Sequence, residues 1–337
     1  MTARDLDRAY ELLQFINGSE IEKYDCSTRN ESDWYLEGEK RTVLGVYYIA
    51  SGVLFQLTAN LVLISMLKNQ DQMKMSCLKI MFYIGFLEST EIWATSFFNG
   101  FICLVGGVFC THPTGQIIFG KLTMFQWLSS SLGCVILALN RLAEFLQFPF
   151  LLAVFDKAWK TYTILFLVTV YGLYYSVCSD TPAFNSKYGT VMLMPLNDYD
   201  QSQFDHLPFW HNPSVCILMF IIYLLICCRL FTHKSTNWSD ISRMQRNLVI
   251  QSFLLSFLYI VPSAFLFYTV FVDSTSRFAM IFGQLTYQWS SGLPCVIYLY
   301  FNRAIRETSL RMLGLKANIG TVADISTRSE QYAEEAT

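Results

Sequence analysis

Residues 43–67 read VLGVYYIASGVLFQLTANLVLISML, twenty-five positions between Thr42 and Lys68 without an acid or a base. At about 1.5 Å of rise per residue such a helix is about 37 Å long, enough to cross the roughly 30 Å hydrocarbon core of a bilayer. Six further apolar runs follow at about 77–101, 115–140, 161–180, 214–231, 247–272 and 278–301. Backbone in lipid must satisfy its own hydrogen bonds, so each run reads as a helix, and polar connectors such as 68–76 and 273–277 mark returns to water. The expected fold is an all-α membrane protein, a seven-transmembrane helix bundle over residues 43–301.

Composition agrees with lipid as the solvent. The 337 residues are 53% hydrophobic and 15% charged, and Phe and Tyr together number 47. A net charge of −2 without a dense basic cluster speaks against a nucleic-acid partner. The ten cysteines contain no C-x-x-C pair and no zinc-like Cys/His spacing, so no metal and no cofactor is expected. Three histidines, His112, His206 and His211, read as lying in outer loops and His233 in an inner one, which leaves no catalytic set in the bundle and argues against an enzyme.

Orientation follows from the basic residues of the connectors, because Lys and Arg are retained on the cytoplasmic side. With the N-terminus outside, the inner segments hold Lys68, Lys74, Lys79, Arg141, Lys157, Lys160 and Arg229, whereas the outer loops hold Lys187 and Arg277. The expectation is an extracellular segment 1–42, carrying the glycosylation sequons at Asn17 and Asn30, and a cytoplasmic C-terminus. Arg303, Arg306 and Arg311 interleave with Ile305, Leu310 and Leu313, as in a short amphipathic helix on the membrane surface at 302–315. Residues 316–337 lack periodicity and read as a disordered tail.

An ionisable residue in hydrocarbon is a functional hypothesis by default. Glu88 and Glu91 lie three apart and share a helix face. Counted from the outer boundary, Glu91 is roughly 15 Å deep and Lys121 roughly 9 Å, so two long side chains on neighbouring helices have the reach to pair. The bland alternatives are protonated carboxyls hydrogen-bonded inside the bundle and a lysine extended to the outer interface. Asn60, Ser129, Ser130 and Ser131 are candidates for a polar network around Glu88. Pro262 and Pro294 each remove a backbone hydrogen bond and mark hinges. An outer-facing cavity would draw on Phe125, Tyr259, Phe265, Tyr268, Tyr287 and Trp289.

These positions resemble a rhodopsin-like receptor: Asn140-Arg141-Leu142 closes the third helix, an acid stands in mid second helix, and the Pro294-to-Tyr298 segment closes the seventh. The match is partial, since the sequence departs from the Asp/Glu-Arg-Tyr pattern and no lysine stands in the seventh helix to hold a retinal. The chain more closely resembles the nematode chemoreceptors called serpentine receptor class T, over about 17–315. The segments that carry this are Tyr24 to Ser27, Ser76 to Met81, Gly85 to Glu88, Cys110 to Pro113, Leu137 to Arg141 and Thr181 to Ser186. The resemblance implies a G-protein-coupled chemoreceptor in the plasma membrane of sensory neurons, with a small-molecule ligand outside and a heterotrimeric G protein facing Asn140 and Arg141. Rival readings are a secondary transporter relaying protons through Glu88 and Glu91, and a non-signalling partner protein. Rhodopsin-like receptors tie the third helix to the second outer loop by a disulfide, but 185–213 contain no cysteine. Cys26 is the expected partner of Cys110, with Cys103, Cys178 and Cys216 as competitors.

The orientation has a direct check. The chain expressed in animal cells is expected to lose gel mass on endoglycosidase treatment, and Asn17→Gln with Asn30→Gln is expected to remove that shift. A chain carrying no glycan, with its N-terminus labelled only after permeabilisation, contradicts it.

Overall fold

The computed structural model describes residues 26–70, 72–192, 206–232, 243–271 and 276–315. Asn17, most of the segment 1–42 and the tail 316–337 lie outside the described residues. A short helix α1 (Glu31–Glu37) precedes α2 (Thr42–Lys68). The next long helix, α3, runs from Ser76–Ile92 through a π-helical turn at Trp93–Phe98 into Asn99–Val105. Then come α4 (Pro113–Leu146), α5 (Pro149–Phe155) and α6 (Ala158–Cys178). A hairpin of β1 (Ala183–Asn185) and β2 (Thr190–Met192) leads on toward α7 (His206–Thr232), α8 (Arg243–Phe271), α9 (Arg277–Phe301) and α10 (Arg303–Met312).

Seven of the described helices are long, and four contain segments apolar enough to cross a bilayer unaided: Thr42–Lys68, Pro113–Leu146, Ala158–Cys178 and Trp210–Arg229. Two of the other three have visible reasons for falling short. The π turn divides α3, and the inner face of α9 is polar, with Gln284, Thr286, Gln288, Ser290 and Ser291 all buried. Facing the other way, Leu54, Leu57, Phe166, Leu167, Ile217 and Phe220 are exposed, which makes the outer surface an apolar belt suited to lipid.

The long helix α4 runs through the middle of the bundle and packs against α3, α6, α7 and α8. Small residues set the closest approaches, as van der Waals packing in lipid requires. A Cβ on Gly45 of α2 would stand 2.8 Å from the Gly100 carbonyl oxygen, and one on Gly52 would stand 2.5 Å from the Ser96 Cβ. The core they enclose includes Val62, Ile80, Ile84, Leu137, Ala138, Met219, Leu255 and Tyr298.

The helix bounds differ from the apolar runs in instructive ways. The fifth long helix begins at His206 and carries Pro213 inside it, whereas the apolar run begins only at 214. His211 and Asn212 are buried members of α7, so the placement of His211 in a loop is corrected. Helix α4 continues past Arg141 to Leu146, and α3 continues through its π turn to Val105.

One end of the bundle carries a roof. A disulfide joins Cys26 to Cys110 in the turn before α4. Beside it Trp34 of α1 is buried against Val108, Phe109, Ile117 and Ala183, and its indole N–H donates to the Cys26 carbonyl at 3.1 Å. The hairpin tucks beneath, with Phe184 packed edge-on against Tyr48. Gln116 of α4 clamps Phe184 at both backbone atoms, donating to its carbonyl at 2.8 Å and accepting from its N–H at 2.9 Å. The Val191 N–H donates to Gln284 of α9 at 3.1 Å. Arg41 donates to the carbonyls of Ser186 at 2.6 Å and Lys187 at 2.7 Å, and Gly189, with φ of 70°, makes the hairpin turn. At the opposite end α10 lies against α2, joined through Ser65 and Ser309 at 2.7 Å and through Asn69 and Thr308 at 2.8 Å.

The disulfide closes a loop with a sequence separation of 84 residues. Cys26→Ser is therefore expected to lower stability by about 2–4 kcal/mol, and the Cys26→Ser/Cys110→Ser pair to cost no more than either single change. Thermal unfolding of purified protein in nanodiscs, with and without reductant, measures this. Unchanged melting of the single variants contradicts it.

Candidate functional site

The site grows from two acids on one turn of α3. Glu88 and Glu91 are both fully buried, because their shared face points into the bundle. The Tyr259 hydroxyl of α8 donates to Glu88 Oε1, and the Tyr287 hydroxyl of α9 donates to Glu91 Oε1. One helical turn thus holds two others through separate carboxyls. Between the tyrosines stands Trp127 of α4, its ring centroid 5.5 Å from Tyr259 and 5.2 Å from Tyr287. The Trp127 indole N–H donates to Asn212 Oδ1 of α7 at 2.9 Å. Five long helices, α3, α4, α7, α8 and α9, therefore meet at one cluster.

Polar bonds knit its margins. Gln126 donates to the Thr90 hydroxyl at 2.5 Å, beside Glu91 in the chain. Gln288, next to Tyr287, donates to the hydroxyls of Ser96 at 2.8 Å and Ser51 at 2.9 Å and to the Tyr48 carbonyl at 3.2 Å. Within the π turn Thr95 donates back to the Glu91 carbonyl at 3.0 Å. A second polar link lies alongside: His211 of α7 contacts the Ser131 hydroxyl of α4 at 2.8 Å and the Tyr171 hydroxyl of α6 at 2.9 Å.

Several candidates from the sequence lie elsewhere. Lys121 does not reach Glu91; it donates to the carbonyls of Ser179 at 2.5 Å and Val177 at 3.4 Å, because the end of α6 offers nearer acceptors. Asn60 is exposed on α2 and accepts from Gln56 at 3.1 Å, away from Glu88. Phe125 turns toward α6, where its carbonyl and ring close over Gly172. Trp289 donates to the Tyr47 hydroxyl of α2 at 2.9 Å, at the rim. Phe265 packs against Gly283, Tyr268 and Phe282 in a separate seam between α8 and α9. Of the six aromatic candidates only Tyr259 and Tyr287 join the cluster. Ser130 is fully buried, and its hydroxyl makes no hydrogen bond among the described residues.

The other end of the bundle holds Asn140 and Arg141, both buried. Arg141 pairs with Glu144 one turn on, at 2.5 Å, and its Nε and one terminal nitrogen have no hydrogen-bond partner among the described residues. Across from it the Ser256 hydroxyl of α8 donates to Tyr223 of α7 at 3.1 Å. In α9, Pro294 and Tyr298 are buried, with Cys295 and Tyr298 packed over Gly85 of α3.

Sequence reasoning missed Trp127, Gln126, Asn212, Gln288 and His211. For Gln126 and Gln288 a signal existed, an amide inside an apolar run. Trp127 was one aromatic among many. Asn212 was hidden by the following Pro213, which reads as a helix boundary and here sits inside one.

Comparison with known proteins places these features in a family. The family model described as serpentine type 7TM GPCR chemoreceptor Srt matches residues 11–321. Serpentine receptor class T-55 of Caenorhabditis elegans is 33% identical over 308 residues, which is 90% of this chain and 84% of that protein. The crystal structure of squid rhodopsin superposes with a TM-score of 0.61 at 11% identity, over 85% of this chain and 87% of that one, which supports the seven-helix fold alone. With a match across nearly its whole length, this chain belongs to the serpentine receptor class T family of seven-transmembrane, GPCR-like chemoreceptors.

Proposed function

We propose that this chain is a chemosensory receptor of the plasma membrane of sensory neurons, with its N-terminus outside and its C-terminus in the cytoplasm. A small molecule binds beneath the roof, and the Arg141 end signals to a heterotrimeric G protein. The observation that carries this reading is the pair of bonds from α3, Glu88 to Tyr259 of α8 and Glu91 to Tyr287 of α9. A ligand acts on a receptor only through its different affinity for two states, so it must touch contacts that differ between them. Bonds between three helices at one cluster are such contacts. Pro262 lies three residues beyond Tyr259, and Pro294 seven beyond Tyr287, so each tyrosine sits just before a built-in hinge. Movement at the cluster is thereby converted into movement at the Arg141 end.

The G-protein-facing surface is assigned to Asn140 and Arg141. Arg141 has donors without a partner among the described residues despite its burial, and these can form new bonds when α8 moves. Each interhelical bond at the cluster is worth about 0.6–1.7 kcal/mol, enough to bias a two-state equilibrium by about threefold to eighteenfold.

Expression in cells reporting G-protein activation tests the reading, with an odorant panel as stimulus. Arg141→Ala is expected to abolish the signal at unchanged surface level. Tyr259→Phe, which removes the α3–α8 bond, is expected to raise ligand-free activity by about threefold to eighteenfold. Silence of the wild-type chain at confirmed surface expression, with proton-coupled uptake that requires Glu88 or Glu91, identifies a transporter instead.

A further inference from the structure

We propose that Glu88 and Glu91, with the rings of Trp127, Tyr259 and Tyr287, recognise a ligand's protonated amine; the inference rests on the receptor reading above. Two carboxyls one turn apart lie fully buried in a membrane bundle. Among the described residues their side-chain partners are hydroxyls: Tyr259 for Glu88, Tyr287 and Ser291 for Glu91. No lysine, arginine or histidine forms an ion pair with either one among the described residues. The two carboxyls therefore sit without a basic partner among the described residues, and a bound cation would supply the counter-charge that lets a buried carboxyl ionise.

The hydrogen bonds left over at the site point to the same ligand. Glu88 Oε2, Gln126 Oε1 and Gln288 Oε1 are buried oxygens without a hydrogen-bond partner among the described residues. The amide N–H groups of both glutamines are engaged, Gln126 with Thr90 and Gln288 with Ser96, Ser51 and Tyr48. Each of these oxygens can accept a hydrogen bond, and an alkylammonium brings up to three donors with its positive charge. Trp127 stands between two tyrosine rings, and aromatic faces around a cation add attraction. Neither a carboxylic acid nor a neutral alcohol brings the positive charge that would pair with an ionised carboxyl here.

The test uses the full-length receptor in lipid nanodiscs and reads ligand-induced thermal stabilisation. The probes are phenethylamine, isopentylamine and piperidine within a wider amine panel, each beside its neutral analogue: phenethyl alcohol, isopentyl alcohol and tetrahydropyran. Amines are expected to stabilise the receptor and their neutral analogues not to. Glu91→Gln is expected to weaken amine binding by about thirtyfold or more, as loss of one partner of a buried charged pair does. Glu88→Gln, measured in parallel, is expected to weaken amine binding as well, so the proposal stays testable if Glu91→Gln fails to fold. Neutral analogues that stabilise as well as amines, retained amine binding in Glu91→Gln, or no stabilising amine in the panel overturns the proposal. G-protein activation separates the two readings. Activation by neutral compounds alone sinks the amine site and leaves the receptor standing, whereas amine binding without activation keeps the site and sinks the receptor.

Discussion

The constraint on which the structure turns is the burial of two acids in a helix that must cross lipid. A carboxyl facing hydrocarbon costs several kcal/mol, so the face bearing Glu88 and Glu91 must turn inward and find donors there. That requirement fixes the rotation of α3. It also brings Tyr259 and Tyr287 inward, and with them the faces that α8 and α9 present to the core. The polar side chains of α9 follow, since Gln284, Gln288 and Ser291 line the same inner face as Tyr287. A bundle of purely apolar helices would have no such reason to choose one rotation over another, because lipid and protein interiors are almost equally apolar.

The roof meets a different need. Backbone at the bundle end is irregular and must be hydrogen-bonded by side chains where it is buried. Gln116, Gln284 and Arg41 do this for the hairpin, each from a different helix or its entry turn. The disulfide anchors the chain before α1 to the start of α4, and the burial of Trp34 extends that anchor with apolar area. The roof and the acid cluster share α4 and α9 as their common supports: on α9, Gln284 holds the strand and Tyr287, one turn on, holds Glu91.

Much of this architecture was legible because lipid is a simple solvent. Seven long apolar runs demand seven helices, and two acids inside one of them demand attention. The short elements were not legible: α1, α5 and the hairpin span three to seven residues and owe their form to contacts with the bundle rather than to pattern. The start of α7 was obscured for a related reason. His206 to Pro213 reads as polar loop, yet His211 and Asn212 are buried because Ser131, Tyr171 and Trp127 supply their partners from other helices. Lys121 was drawn toward Glu91 by charge, whereas the carbonyl oxygens that bind it belong to backbone and leave no trace in residue identity. Tyr259 and Tyr287 stood out as aromatics, but their role as donors to the acids depends on interhelical register, which no single run of sequence records.

The account stands on the claim that the bond between Glu88 and Tyr259 couples α3 to α8. A double-mutant cycle of Glu88→Gln and Tyr259→Phe, read as thermal stability in nanodiscs, measures that coupling directly. An interaction energy of about 0.6–1.7 kcal/mol is expected, the range found for hydrogen bonds between membrane helices. Additivity of the two changes within about 0.3 kcal/mol would contradict the claim, for it would mean that the acid and the tyrosine contribute to the bundle independently.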